Sequence, residues 1–241
     1  MPRAMKMPRA GAPLPSSAGQ SNQGLLSGLP EPVLDELFGA AKAVQLRSDE
    51  VLFVAGDAGD GCYRVRDGLL KVTMVSRSGS ERILAFLGAG HIVGELSIID
   101  GLPRSATVMA VRPTNLTFLS RAAFEEFAGK HPEIYKALVT LLAARLRETD
   151  STIAVGSFLP VRGRVASTLL ELAEHFGQDV GSGRIVIRQK IGQGDLAAMA
   201  GIARENVSRI LNDWQRRKLI SRLSGYYCLE DKAKLQSEAE L

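Results

Sequence analysis

Val93-Gly94-Glu95-Leu96-Ser97 is followed, five residues later, by Pro103-Arg104-Ser105-Ala106-Thr107-Val108. Each residue type in these two stretches has a definite binding chemistry. Glycine lets the backbone approach a ligand closely. Glu95 carries two acceptor oxygens, suited to a sugar hydroxyl. Arg104 presents a rigid, planar fork of donors that matches a phosphate. Ser105 adds a hydroxyl and a backbone N–H. The G-E-L triplet alone reads better as a surface Glu–Arg ion pair beside a glycine turn. R-S-A-T-V nine residues on, after a run of β-type segments, favours a phosphate–sugar site.

A second constellation lies near the C-terminus. Ile202-Ala203-Arg204-Glu205-Asn206-Val207-Ser208-Arg209-Ile210-Leu211 places Val207, Ile210 and Leu211 on one side of a helix and Arg204, Glu205, Ser208 and Arg209 on the other. Arginine can bond guanine O6 and N7 together, and glutamate can accept from cytosine N4, so the outer side has base-reading chemistry. The surroundings are basic. Residues 184–222 hold nine Lys and Arg against three Asp and Glu, Lys218 among them, although the whole chain carries only +4. That local excess suits a phosphate backbone. An ordinary amphipathic helix pair with surface charges is the competing reading.

The elements that must hold these residues follow from periodicity. VLFV (51–54), CYRVR (62–66), LLKVTMVS (69–76), RILAFL (82–87), SATVMAV (105–111) and NLTFLS (115–120) are short β-type runs separated by glycines, the pattern of a barrel or sandwich. Pro30 to Lys42 reads as a short helix before them, with Val33, Leu34, Leu37 and Phe38 on one face. Ser120 reads as the N-cap of a helix through Phe124 and Phe127. From Pro132 to about Ala154, Ile134, Leu138, Leu141, Leu142, Leu146, Thr149 and Ile153 recur at helical steps, a stripe wide enough for the barrel and a second chain. Gly156 to Pro160 interrupts that helix as a hinge, and Pro160 opens another with Val165, Leu169, Leu172, Ala173 and Phe176 on its apolar face. GRIVIR (183–188) is a strand. Helices over 195–200 and 203–217 meet at Gly201-Ile202, and LISRLSGYYCLE (219–230) is a hairpin turning at Ser224-Gly225. Helix–turn–helix followed by a hairpin is a winged helix.

The two motifs and their order resemble the Crp/Fnr superfamily, catabolite activator protein (cyclic-AMP receptor protein) branch, over roughly residues 25–230. The resemblance implies an α+β chain. It comprises a disordered arm (1–24), a cyclic-nucleotide-binding β-roll (25–131), a dimerisation helix (132–155), a hinge (156–160), a winged helix–turn–helix (161–232) and a tail (233–241). It implies that Gly94, Glu95 and Leu96 line the phosphate–ribose cassette, that Arg104 and Ser105 hold the cyclic phosphate, and that Val72, Leu84 and Leu87 form apolar walls. Thr149 and Asp150 fall where the family contacts the base. Asp150 replaces the usual small hydroxyl residue, so cyclic GMP is expected beside cyclic AMP. Asp150 pointing to solvent or pairing with Arg147 is the alternative. The R-E-x-V-x-R pattern at Arg204, Glu205, Val207 and Arg209 implies palindromic double-stranded DNA with TGTGA-like half-sites. A homodimer and contact with RNA polymerase are implied as well.

Composition narrows the field. The chain has 241 residues, room for two domains, and no run of eighteen apolar residues that would span a membrane. Its start lacks the apolar segment of a secretory signal, Met5 or Met7 is an alternative first residue, and a cytoplasmic location is expected. Cys62 and Cys228 read as reduced thiols, and His91, His131 and His175 are too scattered for metal ligation. An iron–sulfur or haem sensor would need a cysteine cluster or a placed His/Cys pair. A cyclic-nucleotide phosphodiesterase would need metal ligands and an activated water. No enzyme activity and no metal are therefore expected. A nucleotide module acting on a partner protein is disfavoured by the winged helix.

Overall fold

The computed structural model describes residues 31–39, 41–77 and 79–240, with some side chains in α1 and α4 left aside. The arm expected over 1–24 lies outside them. A helix α1 (Glu31–Gly39) precedes strands β1 (Lys42–Leu46), β2 (Val51–Phe53), β3 (Gly61–Val75), β4 (Glu81–Leu87) and β5 (Ile92–Val93). Then come α2 (Glu95–Asp100), β6 (Thr107–Ser120), α3 (Arg121–Lys130) and α4 (Glu133–Phe158). The C-terminal part runs α5 (Val161–Phe176), β7 (Gly177–Asp179), β8 (Ile185–Ile187), α6 (Gln193–Ala200), α7 (Arg204–Arg216), β9 (Ile220–Leu223), β10 (Tyr226–Leu229) and α8 (Lys232–Glu240). The mixed helix-and-sheet class is the expected one.

The first sheet is antiparallel, in the order β1-β6-β3-β4, with β2 on β6 and β5 on β3. The runs expected as separate strands on either side of Gly68 and of Pro113 are continuous in β3 and β6. The chain absorbs these residues as register shifts at Val65/Asp67, Asp67/Leu69 and Leu69/Leu70. A bulge accommodates a residue that cannot join the ladder without ending the strand. Leu46, Val65, Leu70, Leu87, Val93, Val108, Ala110 and Leu116 fill the roll. Ser120 caps α3 as expected, its hydroxyl accepting from the Ala123 N–H. Leu37, Phe38, Phe124, Phe127, Ile134 and Leu138 pack α1, α3 and the start of α4 onto the roll.

Two expectations change. The helix expected to break at Gly156 runs on to Phe158, and the interruption falls at Leu159-Pro160. One glycine lowers helix stability by about 1 kcal/mol, too little to stop a 26-residue helix. The stretch expected as a tail, 233–241, is largely helical. Leu235 is fully buried, and Glu238 accepts from Arg162 Nε (3.0 Å) and Arg217 Nη1 (2.5 Å). Its lysines and glutamates hid that one buried leucine.

The C-terminal core gathers Val165, Leu169, Leu172, Leu196, Val207, Leu211 and Trp214. A small antiparallel sheet, β7-β8-β10-β9, flanks the helices. Residues of the β3–β4 ribbon reach this part of the chain. Lys71 lies 3.8 Å from Asp195 of α6, and Phe86 meets Phe176 of α5 edge-on. The Arg82 guanidinium lies against Gly201 at the turn between α6 and α7.

Candidate functional site

Arg104 is the structural centre of the N-terminal site. It is 4 % exposed, although arginine is seldom buried without partners. Nη1 donates to the carbonyls of Gly61 (2.7 Å) and Gly94 (2.9 Å), and Nη2 lies 3.6 Å from Asp60 Oδ1. The guanidinium sits 4.4 Å from the centre of the Phe53 ring and 5.9 Å from that of Tyr63. Backbone bonds fix its base: Arg104 N–H donates to Asp57 O, and Arg104 O accepts from Gly56 N–H, both at 2.8 Å. Its buried Nε–H has no hydrogen-bond partner among the described residues. Nε and Nη2 share the side edge of the guanidinium, the edge that matches two oxygens of one phosphate.

Gly94 makes this seat possible. Its φ is +83°, and a Cβ there would lie 2.4 Å from Arg104 Nη1. The turn launches α2, whose first residue Glu95 is buried, as are Ser97 and Ile98. Leu96 is half-buried, and Ser105 is exposed beside Arg104. The acceptors and donors read from the sequence thus occupy adjoining segments. Cys62 lies below them. Burial, reinforced by the Glu95 carboxylate and opposed by Arg104, pushes its thiol up to about 12, so it stays protonated.

Of the expected walls, Leu87 is buried and Val72 half-buried on the inner side of the roll. Leu84 is not with them: it is 52 % exposed. Along β4 the inward residues are Ile83, Ala85 and Leu87, and Val72 pairs with Ala85, so alternation turns Leu84 outward beside Phe86. Thr149 and Asp150 are exposed on α4 within the single chain.

In the C-terminal part, α7 buries Val207, Ile210, Leu211 and Trp214. Arg204, Glu205 and Arg209 are exposed and Ser208 half-buried. Arg209 Nη2 donates to Asn206 Oδ1 (2.6 Å), which steadies the arginine one turn into the helix. Glu205 sits in the first turn, where the helix dipole favours a carboxylate whether or not it meets a base. Gly201 closes α6 at φ +63°, giving the sharp turn between the two helices. Lys218 is exposed past the end of α7, and Ser224-Gly225 turns the hairpin as expected.

This arrangement matches known families in both parts. Residues 43–131 match the family described as "Cyclic nucleotide-binding domain", and residues 163–238 that described as "Crp-like helix-turn-helix domain". The chain is 30 % identical to the CRP-like cAMP-activated global transcriptional regulator of Mycobacterium tuberculosis over 217 residues, 90 % of this chain and 93 % of the relative. The chain belongs to the Crp/Fnr family of transcription regulators.

A second member, the cyclic AMP receptor protein of Thermus thermophilus, is 38 % identical over 161 residues, 67 % of this chain and 71 % of that protein. A solved Crp/Fnr regulator from Thermus thermophilus superposes with a TM-score of 0.69 at 27 % identity, covering 83 % of this chain and 99 % of that one. As a Crp/Fnr regulator the chain joins a cyclic-nucleotide-binding domain to a DNA-binding one, and its relatives are regulators rather than enzymes. Among the described residues no helix is long and apolar enough to cross a membrane, and no three His, Cys, Asp or Glu residues group as metal ligands.

Sequence reasoning missed what seats Arg104. Asp60, Gly61, Phe53 and Tyr63 lie more than forty residues upstream of it, and only the fold brings them together.

Proposed function

We propose that this Crp/Fnr regulator binds cyclic AMP between the Gly94–Ser97 segment and Arg104, and that the occupied homodimer reads TGTGA-like half-sites of palindromic DNA. The observation that carries the ligand reading is the Nε–H of Arg104. An unmet buried donor costs about 1–3 kcal/mol, and two oxygens of a cyclic phosphate would satisfy Nε and Nη2 together. Glu95 takes the ribose hydroxyl, Leu96 lines the cassette, Ser105 adds a donor at the phosphate, and Val72 and Leu87 wall the sugar and base. Ala85 takes the place assigned to Leu84. The relatives named for cyclic AMP support the choice of nucleotide.

Dimerisation through α4 is supported by an apolar stripe that the single chain leaves open. Leu146 and Ile153 are 62 % and 61 % exposed, and Tyr135, Val139 and Phe158 are exposed with them. Pairing these helices would bring Thr149 and Asp150 to the nucleotide bases. Ionised Asp150 is an acceptor only, and guanine offers N1–H beside its 2-amino group, so cyclic GMP is a second ligand of the pocket. Arg204, Glu205, Ser208 and Arg209 read base edges, and Lys218 holds a phosphate. Leu159-Pro160 is the hinge between ligand and DNA domains, the protein works in the cytoplasm, and RNA polymerase is the partner at the promoter.

Calorimetric titration of the full chain against cyclic AMP, cyclic GMP and cyclic di-GMP tests the reading. One cyclic AMP per chain, and weaker cyclic GMP, is expected. Binding of cyclic di-GMP alone, or of none, would overturn it.

A further inference from the structure

Arg104 draws its two carbonyl partners from separate pieces of chain, Gly61 at the start of β3 and Gly94 at the start of α2. Neither piece is held only by Arg104. Gly59, beside the first, presses so closely on Ser97 of α2 that a Cβ there would lie 2.2 Å from the Ser97 Cβ. Something must therefore keep the two pieces at a fixed separation, since the guanidinium spans both.

Arg121, the first residue of α3, touches both. Its backbone N–H donates to Asp60 O (2.8 Å), next to the Gly61 carbonyl and on the residue whose carboxylate faces Arg104. Its side chain reaches the other piece, Nη2 donating to the Ser97 carbonyl. That carbonyl also accepts from the Gly101 N–H that closes α2, and Arg121 Nη1 covers Gly101 at the same end. A cation at a helix C-terminus is favoured by the helix dipole. One residue thus ties the Asp60–Gly61 strand to the helix that carries Glu95.

We propose that Arg121 is a positioning residue for nucleotide binding: it sets the spacing between the Gly61 and Gly94 carbonyls and so aims the fork of Arg104. It touches no ligand itself. Because Arg121 opens α3, which leads into α4, the same bracket joins the phosphate cassette to the helix pair that carries Thr149 and Asp150. The proposal rests on cyclic-nucleotide binding at Arg104.

A double-mutant cycle on the full chain tests it. R121A and R121K are made in the wild type and in R104K, and affinity is measured by calorimetry for whichever of cyclic AMP and cyclic GMP binds the wild type. The ligand-free melting midpoint is followed in parallel. R121A should weaken binding at least about tenfold, and R121K should recover most of the loss, since an ammonium can still donate to the Ser97 carbonyl. In R104K, where the fork is gone, R121A should cost less than about twofold, because its effect runs through the fork. Should R121A not fold, R121Q takes its place, with an intermediate loss expected. Unchanged affinity in R121A, or equal fold-losses in both backgrounds, overturns the proposal and leaves the pocket standing. Failure of the wild type to bind either nucleotide removes the pocket reading and this proposal together.

Discussion

Gly94→Ala puts a methyl group into the guanidinium seat, and two separable effects follow. The backbone effect comes from φ +83°, a left-handed conformation that costs a residue with a Cβ about 1–2 kcal/mol. The packing effect comes from the 2.4 Å approach of that Cβ to Arg104 Nη1. The side chain has little room to retreat, being buried against Phe53, so it must loosen its bonds to Gly61 O and Gly94 O. Hydrogen bonds of charged groups contribute about 1.5–3 kcal/mol each. Allowing partial recovery, Gly94→Ala should destabilise the ligand-free chain by about 2–4 kcal/mol in total. Gly79→Ala is the matched control. Its φ is +82° with none of the described residues beyond its chain neighbours within 4 Å of the new Cβ, so it carries the backbone effect alone. Urea unfolding followed by circular dichroism gives the two losses, and cyclic AMP titration gives the affinities. Gly94→Ala should lose at least about tenfold in affinity, or 1.4 kcal/mol, while Gly79→Ala keeps wild-type binding. Equal destabilisation by the two variants with unaltered affinity in both would show that Arg104 is not held as described.

Further outcomes concern α7, Asp150 and the last helix. Arg204→Ala and Arg209→Ala should each lose about 1–3 kcal/mol on specific DNA and relax preference at one base pair per half-site, whereas Lys218→Ala should weaken all sequences alike; competition with random DNA in a gel-shift assay separates these. Asp150→Ser should lower the ratio of cyclic GMP to cyclic AMP affinity, and an unchanged ratio would place Asp150 in solvent or on Arg147. Leu235→Ala should cost about 2–5 kcal/mol as a fully buried leucine, measured by thermal unfolding. Glu238 titrates low in the folded chain: burial acts to raise it, but the hydrogen bonds from Arg162 and Arg217 prevail. Its contribution is therefore complete above the ordinary glutamate range and is lost as pH falls through the lowered folded value. Glu238→Gln should flatten the acid limb of the stability curve, and an identical acid limb would deny the linkage.

The sequence made the larger architecture readable where a local rule and the tertiary fold agree. Ser120 caps a helix, Ser224-Gly225 turns a hairpin and Gly201 closes α6, because each needs only its immediate neighbours. Arg104 and Glu95 stand out in the sequence as candidate ligand-binding residues because R-S-A-T-V follows the glycine turn after a run of β-type segments. Other features depend on distant contacts. Leu84 was misplaced because alternation along β4 assigns faces only once the register with β3 is known. The helix α8 was invisible because its anchor is a single leucine and a buried glutamate that finds Arg162 some seventy-six residues away. The role of Arg121 depends on an Asp60 carbonyl and a Ser97 carbonyl that no spacing in the sequence links.

Under the proposed function, nucleotide and DNA are read by one coupled molecule. A ligand shifts the arrangement of the two domains only through its different affinity for the competing states, and the coupling must then be reciprocal. The direct test is to titrate cyclic AMP into the full chain with and without saturating palindromic DNA carrying TGTGA-like half-sites. Nucleotide affinity should rise by the same factor by which saturating cyclic AMP tightens binding to that DNA. Identical nucleotide affinities in the presence and absence of the DNA would contradict that coupling.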